Sequence, residues 1–229
     1  MSTGSVVVLL SGGIDSISML SLTMAYGWSP ICLGVAWGQT NSAELETAYS
    51  VAKYYDCEYV EVGANISRLA DAPLTSRAAP TPGPRTLSEI REEQVSPWEV
   101  PMRNATFLSL AAALARSRGI GAVMIGATLD DHGGFEDCRK SFFDAFESMS
   151  AAAGSPVTVM APLLSMRKQD VIWMADQLDA PIANAISCYH PQRNLRGQVA
   201  CGRCDACIVR IEGFEAAGID DPAEYLRPA

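Results

Sequence analysis

The run Ser5-Val-Val-Val-Leu-Leu10 leads without a spacer into Ser11-Gly-Gly-Ile-Asp-Ser16, and this junction constrains the fold more than any other stretch of the chain. A short β-branched run without polar alternation reads as a strand covered on both faces. The apolar-periodic segment after it, to about Tyr26, reads as a helix, so the glycines sit in a strand-to-helix turn.

The same alternation repeats along the chain. Strands are expected at Ile31–Trp37, Glu58–Val62, Gly121–Gly126 and Val157–Met160. Helices are expected at Ala43–Tyr55, from about Pro101 to Arg118, and at Cys138–Ser150 and Lys168–Leu178. Strands alternating with helices at this spacing predict an α/β fold: a doubly wound, mainly parallel five-stranded sheet covered on both faces. Residues 1–180 are expected to form that domain. Two stretches break its rhythm. Residues 65–100, with prolines at 73, 80, 82, 84 and 97 and another at 101, read as a lid with one short helix near Leu87–Gln94. From 181 to 229 the composition shifts to Cys, Arg, Gly and Asn, the mark of a C-terminal appendage.

Charge and composition exclude several classes of function. Hydrophobic residues make up 48% and charged residues 19%, as in an ordinary globular protein. No apolar run approaches the ~20 residues of a membrane span. The opening residues lack a basic n-region, so no signal peptide and a cytoplasmic location are expected. The net charge is −9, and the lysines are only Lys53, Lys140 and Lys168. That balance opposes direct binding of nucleic acid.

Beyond the carboxyl end of a first strand, a Gly-Gly turn presents several backbone N–H groups to an anion, and the following helix adds its positive end. Ser11 and Ser16 can donate further bonds. Asp15 is unsuited to a phosphate contact; at the helix start it can hold the loop or a Mg²⁺. No Walker A sequence and no dinucleotide fingerprint stands at this turn.

The seven cysteines are odd in number, which argues against an extracellular disulfide framework. Cys201, Cys204 and Cys207 follow one another at two-residue gaps, and Cys188 supplies a fourth thiol. Four thiolates suit a closed tetrahedral Zn²⁺ of structural type, and the same spacing also accepts a [4Fe–4S] cluster. Arg203 and Arg210 are expected to offset the negative charge of such a site. Cys32 reads as core packing, and His132 and His190 as surface residues on polar loops.

Ser11-Gly-Gly-Ile-Asp-Ser16 resembles the pyrophosphate loop of the ATP-pyrophosphatase superfamily, of adenine-nucleotide α-hydrolase-like fold. Three further segments narrow the likeness: Val100-Pro-Met-Arg-Asn104, the stretch from Gly126 through Asp130-Asp131 to Asp137-Cys-Arg139, and the cysteine block running into Arg210. In this order, to about Gly218, they resemble the 7-cyano-7-deazaguanine synthase family. The resemblance implies an ATP-dependent C–N ligase. It would convert 7-carboxy-7-deazaguanine and ammonia to the 7-cyano compound through an adenylated carboxylate and an amide, releasing AMP and pyrophosphate. A paralogous adenylating ligase acting on another acceptor is the alternative.

The implied cofactors are ATP, Mg²⁺ and Zn²⁺, the partners small molecules, and a homodimer is allowed. The resemblance assigns ATP binding to Leu10, Ser11, Gly12, Gly13, Ile14, Asp15, Ser16, Ile17, Ser18, Met19 and Leu20. Catalysis falls to Asp15, Asp131, Arg139 and Lys168. Substrate binding falls to Gln39, Arg103, Asn104, Asp131, Phe135, Asp137 and Arg139, with Asp131 or Asp137 reading the guanine-like edge and Arg139 pairing with the substrate carboxylate or a phosphate. Metal binding falls to Cys188, Cys201, Cys204 and Cys207. The family segment Y-x-Q-x-H-x-x-E covers Gln39 and Glu44, but Trp37, Thr40 and Asn41 depart from the usual residues, as do Phe135 and Glu136 in the later segment.

Overall fold

Strands β1 (Ser5–Leu9), β2 (Ser29–Ala36), β3 (Glu58–Gly63), β4 (Ala122–Met124) and β5 (Thr158–Met160) form a five-stranded sheet in the order β3-β2-β1-β4-β5. Every pairing is parallel. These relationships come from a computed structural model that describes residues 4–41, 43–69, 72–76, 82–83, 85–194 and 197–226. Parts of the expected lid (70–71, 77–81 and 84) and of the Arg- and Asn-rich linker (195–196) lie outside the described residues.

The period-2 geometry of a strand turns the uniform Val-rich run of β1 into two faces. Val6 and Val8 enter one core with Ile17, Leu20 and Ile172, while Val7 and Leu9 enter another with Leu108, Ala111 and Phe146. Helices α1 (Ile14–Ala25), α2 (Ala43–Tyr54) and α6 (Lys168–Gln177) cover the first face. Helices α4 (Arg103–Arg118) and α5 (Lys140–Ala152) cover the second. Burial on both sides is why the central strand β1 carries no polar alternation, whereas the edge strand β3 keeps Glu58 and Glu61. The expected elements are present with ends shifted by a few residues, including the short α3 (Leu87–Glu92) in the lid.

One helix was not expected. Residues Asp205–Ala217 form α7 directly after the cysteine turn. Its apolar residues surround the axis, so the sequence shows no single hydrophobic stripe. The helix packs along α6, and its Phe214 is buried in the core beneath α1 and α6. The four cysteines join the opposite core. A short antiparallel pair, β6 (Gln192–Asn194) and β7 (Gly197–Val199), precedes the helix. Among the described residues, no helix is long and apolar enough to cross a membrane.

The strand order reverses between β1 and β4, and a crevice opens beyond the carboxyl ends of strands at such a reversal. The tail of β1 leads there into the glycine turn, and the tail of β4 into Gly126–Thr128.

Candidate active site

At the reversal lies a cavity of about 330 Å³, walled by the glycine turn, the ends of β1, β2 and β4, the first turns of α4 and α6, and α7. Ser16 organises its floor. The Ser16 hydroxyl accepts from the backbone N–H of Ser11 and of Gly12, both at 3.2 Å, and donates to the Gly13 carbonyl at 2.9 Å. The first backbone bond of α1 runs from Ile17 N to Gly13 O, so the amides of residues 14–16 precede the helical ladder. The turn thus gathers backbone donors at the positive end of a helix, which suits an anion. Gly12 is required sterically: its φ is +89°, and a Cβ there would lie 2.3 Å from the Glu44 carbonyl oxygen.

Asp15 leaves this turn toward α6. Lys168 Nζ donates to both of its carboxylate oxygens, at 2.5 and 2.6 Å. Asp131 stands nearby and accepts from Thr128 N and Thr128 Oγ1, each at 2.8 Å. Burial and the negative charge of Asp15 push the Asp131 carboxyl up, while Lys168 and the Thr128 bonds draw it down. Burial disfavours the Lys168 charge, yet Asp15 and Asp131 outweigh it and raise the ammonium. Asp15, Asp131 and Lys168, three of the expected catalytic residues, therefore meet at one end of the cavity.

The expected substrate residues divide. Gln39, Arg103, Asn104 and Phe135 line the cavity with Asp131. Asp137 and Arg139 are not among its lining residues. The Asp137 carboxylate accepts from Asn104 N at 3.2 Å and so holds the first turn of α4. Arg139 donates from Nε and Nη2 to the His132 carbonyl at 3.4 and 3.1 Å, which braces the loop ahead of it. Of the ATP-assigned stretch, Ile17, Ser18, Met19 and Leu20 are buried inside α1, and the cavity meets Leu10, Ser11, Gly13, Ile14, Asp15 and Ser16. Trp37 and Phe135, two departures from the family pattern, stand in the wall, whereas Glu136 is 79% exposed beside Arg139.

Several wall residues carry no local sequence signal. Arg85, from the proline-rich segment, pairs with Glu93 and with Asp205 of α7. Arg91 of α3 reaches Asp130 at 2.9 Å, and Arg167 reaches the same carboxylate at 3.1 Å. Asp130 also accepts from Lys168 N at 2.8 Å, capping α6. Gly133 and Gly134 let this strap sit close: Ser96 N donates to Gly134 O at 2.9 Å, and a Cβ on Gly133 would meet the Arg91 carbonyl at 2.5 Å. Glu44, from the first turn of α2, faces the cavity, and burial pushes its carboxyl up to about 8 against the pull of Arg103. The Arg103 guanidinium lies 5.8 Å from the centroid of Trp37, whose ring is 6.2 Å from that of Phe107.

At the start of α7 the Sγ atoms of Cys188, Cys201, Cys204 and Cys207 all lie within 4.8 Å of one another, and the four residues are buried. The Cys204–Cys207 and Cys201–Cys207 separations are 3.5 and 3.9 Å. A tetrahedron with metal–sulfur bonds of about 2.3 Å has sulfur–sulfur edges of about 3.8 Å, so the donor set fits one ion. Arg210 does not serve as expected. It is buried and spends Nε and Nη2 on Asp221 and Nη1 on the Ala185 carbonyl. The histidines are also more enclosed than expected: His190 packs 5.2 Å from Trp98, and His132 Nε2 is buried with no hydrogen-bond partner among the described residues.

A family model described as Queuosine biosynthesis protein QueC matches residues 5–218. The 7-cyano-7-deazaguanine synthase of Myxococcus xanthus (strain DK1622) is 38% identical over 230 residues, covering 97% of this chain and 98% of its own. That of Anaeromyxobacter dehalogenans (strain 2CP-C) is 36% identical over 228 residues, covering 96% and 95%. Among solved structures, a 4-thiouridine synthetase–RNA complex with bound ATP aligns with a TM-score of 0.52 at 17% identity, over 94% of this chain and 53% of that one. That last likeness is one of fold.

Proposed function

The chain belongs to the queuosine biosynthesis protein QueC family, and from that premise we propose that it makes 7-cyano-7-deazaguanine from 7-carboxy-7-deazaguanine, ammonia and ATP. The observation that carries this reading is the meeting of Asp15, Lys168 and Asp131 beside the glycine turn. An anion cradle, a lysine and two carboxylates at one mouth are what release of pyrophosphate from an adenylating nucleotide needs.

Carboxylate and amide oxygens are poor leaving groups. Adenylation of the acid turns one oxygen into part of AMP, and ammonia displaces AMP to leave the amide. A second adenylation, on the amide oxygen, allows loss of AMP and a proton to leave the nitrile. In this scheme the amides that open α1, with the Ser11 hydroxyl, bind the departing phosphates, and Ser16 holds the turn in shape. Lys168 opposes the charge that grows there. Asp15 and Asp131 offer the one or two carboxylates that Mg²⁺ uses together with phosphate oxygens, and the ion would neutralise charge on the leaving group.

Gln39, Arg103, Asn104 and Phe135 are proposed as acceptor contacts. Asp137 and Arg139 are proposed as positioning residues, since one holds the start of α4 and the other holds the loop ahead of it. Cys188, Cys201, Cys204 and Cys207 are proposed to hold a structural Zn²⁺, with all four positions filled by protein and none open to substrate.

Incubation with ATP, ammonium and the carboxylic acid tests the reading. AMP, pyrophosphate and a product lighter than the amide by one water are expected. Release of ADP overturns the adenylation scheme, and accumulation of the amide alone restricts the activity to its first half.

A further inference from the structure

Five carboxylates line the cavity, and four of them are already engaged. Asp15 holds Lys168, Asp130 holds Arg91, Arg167 and the α6 N-terminus, Asp131 holds Thr128, and Asp205 holds Arg85. The fifth, Glu44, makes no hydrogen bond and no ion pair among the described residues. The four cations of the wall divide in the same way. Lys168, Arg85 and Arg210 are taken up by Asp15, Asp205 and Asp221. Among the described residues Arg103 has only the face of Trp37. One acid and one base therefore remain uncommitted, close enough for Arg103 to draw down the Glu44 carboxyl, yet they are not paired with each other.

Without a partner, burial pushes the Glu44 carboxyl up, and a ligand that brings donors to it restores its charged form. A carboxyl and a guanidinium flanked by indole and phenyl rings suit a flat heteroaromatic ring with a donor edge beside an acceptor. A guanine-type edge has that order: two adjacent N–H donors, from the ring N1 and the 2-amino group, followed by a carbonyl oxygen.

We propose that Glu44 is the residue that selects the acceptor, accepting from the ring N1–H and the 2-amino group, while Arg103 donates to the ring carbonyl above Trp37. The assignment rests on the deazaguanine acceptor proposed above and replaces Asp131 and Asp137 as readers of its edge. The placement is apt for the chemistry, because the Glu44 backbone abuts Gly12 of the phosphate turn. A ring held by Glu44 therefore lies next to the departing phosphates.

The test compares 7-carboxy-7-deazaguanine with its 2-deamino analogue in the AMP-release assay. A site built to bond a donor rejects a substrate lacking it strongly, so the wild type should prefer the 2-amino acid by at least about 100-fold in kcat/KM. Glu44→Gln should raise the KM for the 2-amino acid at least about tenfold, leave the KM for ATP within about twofold, and reduce the preference to a few-fold. Equal use of the two acids by the wild type overturns the assignment without recourse to any variant. Full retention of the preference by Glu44→Gln, or an equal loss on both acids, also overturns it. Failure of the wild type on both acids overturns the proposed function, and this assignment with it; turnover of both without preference overturns the assignment alone.

Discussion

Lys168 Nζ sits 2.5 Å from Asp15 Oδ1 and 2.6 Å from Oδ2, a contact that joins the first turns of two helices across 153 positions of sequence. Both side chains are largely shielded, at 13% and 27% exposure. The pair therefore holds the glycine turn against α6 while keeping a cation at the cavity mouth.

Removal of either charge is expected to stop turnover. Asp15→Asn and Lys168→Met should each lower AMP release by at least about 100-fold, the scale seen when one preorganised electrostatic group is lost from an active site. The double variant should be more stable than Lys168→Met alone, because the single change leaves a shielded carboxylate without its partner. Thermal unfolding of the four proteins of the cycle measures this, and additive shifts would refute the coupling.

Asp130 is a structural hub beside the Asp15–Lys168 pair. Asp130→Asn should weaken its bonds to Arg91, Arg167 and Lys168 N together. A loss of about 2 kcal/mol is expected for charge-assisted bonds of this kind whose arginines can turn to solvent. In a chain of 229 residues that lowers Tm by roughly 4–8 °C. Limited proteolysis should show faster cleavage within 85–96, the strap that Arg91 ties down.

The four thiols should hold one zinc per chain. Elemental analysis of protein purified without added metal checks this, and iron with labile sulfide would replace zinc by a cluster. Cys204→Ser or prolonged chelation should lower Tm by more than about 5 °C, since metal binding by buried thiolates is coupled to folding. The loss should be largest in α7, which begins at Asp205, immediately after Cys204, and carries Cys207.

Glu44 makes stability depend on pH. Its carboxyl is pushed up to about 8 in the folded chain, from an ordinary value of 4.5. Below pH ~4.5 it is protonated in both states and contributes no slope. Between ~4.5 and ~8 the unfolded chain ionises first and binds fewer protons, so this residue removes stability as pH rises, and above ~8 the loss levels off. Glu44→Gln should therefore gain on the wild type from pH 5 to pH 8. Even about 1 kcal/mol of that effect, after discounting for solvent, moves Tm by roughly 2–4 °C. A difference independent of pH would contradict it.

Local pattern made the sheet and the glycine turn legible, because strand and helix periods repeat within a few residues and a Gly-Gly turn after a buried strand has few other uses. The cysteine cluster was legible by spacing. Helix α7 was not, since Cys207, Ile208, Val209, Ile211 and Phe214 present apolar groups all round and no stripe marks the axis. The two histidines, on polar stretches of sequence, gave no sign of their enclosure against Trp98 and the 132–138 loop.

Which carboxylates were free for substrate could not be read from the chain. Asp131, Asp137 and Glu44 look alike in one dimension, and each has acidic or polar neighbours. What separates them lies elsewhere in the chain or nowhere in it: Asp131 is held by Thr128 three positions away, Asp137 by Asn104 33 positions away, and neighbouring Asp130 by Arg91 39 positions away. Sequence determined the short-range terms, namely which residues bury, where the chain turns and which thiols cluster. Only the tertiary structure decided the pairing of charges, because Coulomb and hydrogen-bond energies depend on distance in space, and the crossovers of a parallel sheet bring together ions that no sequence spacing connects.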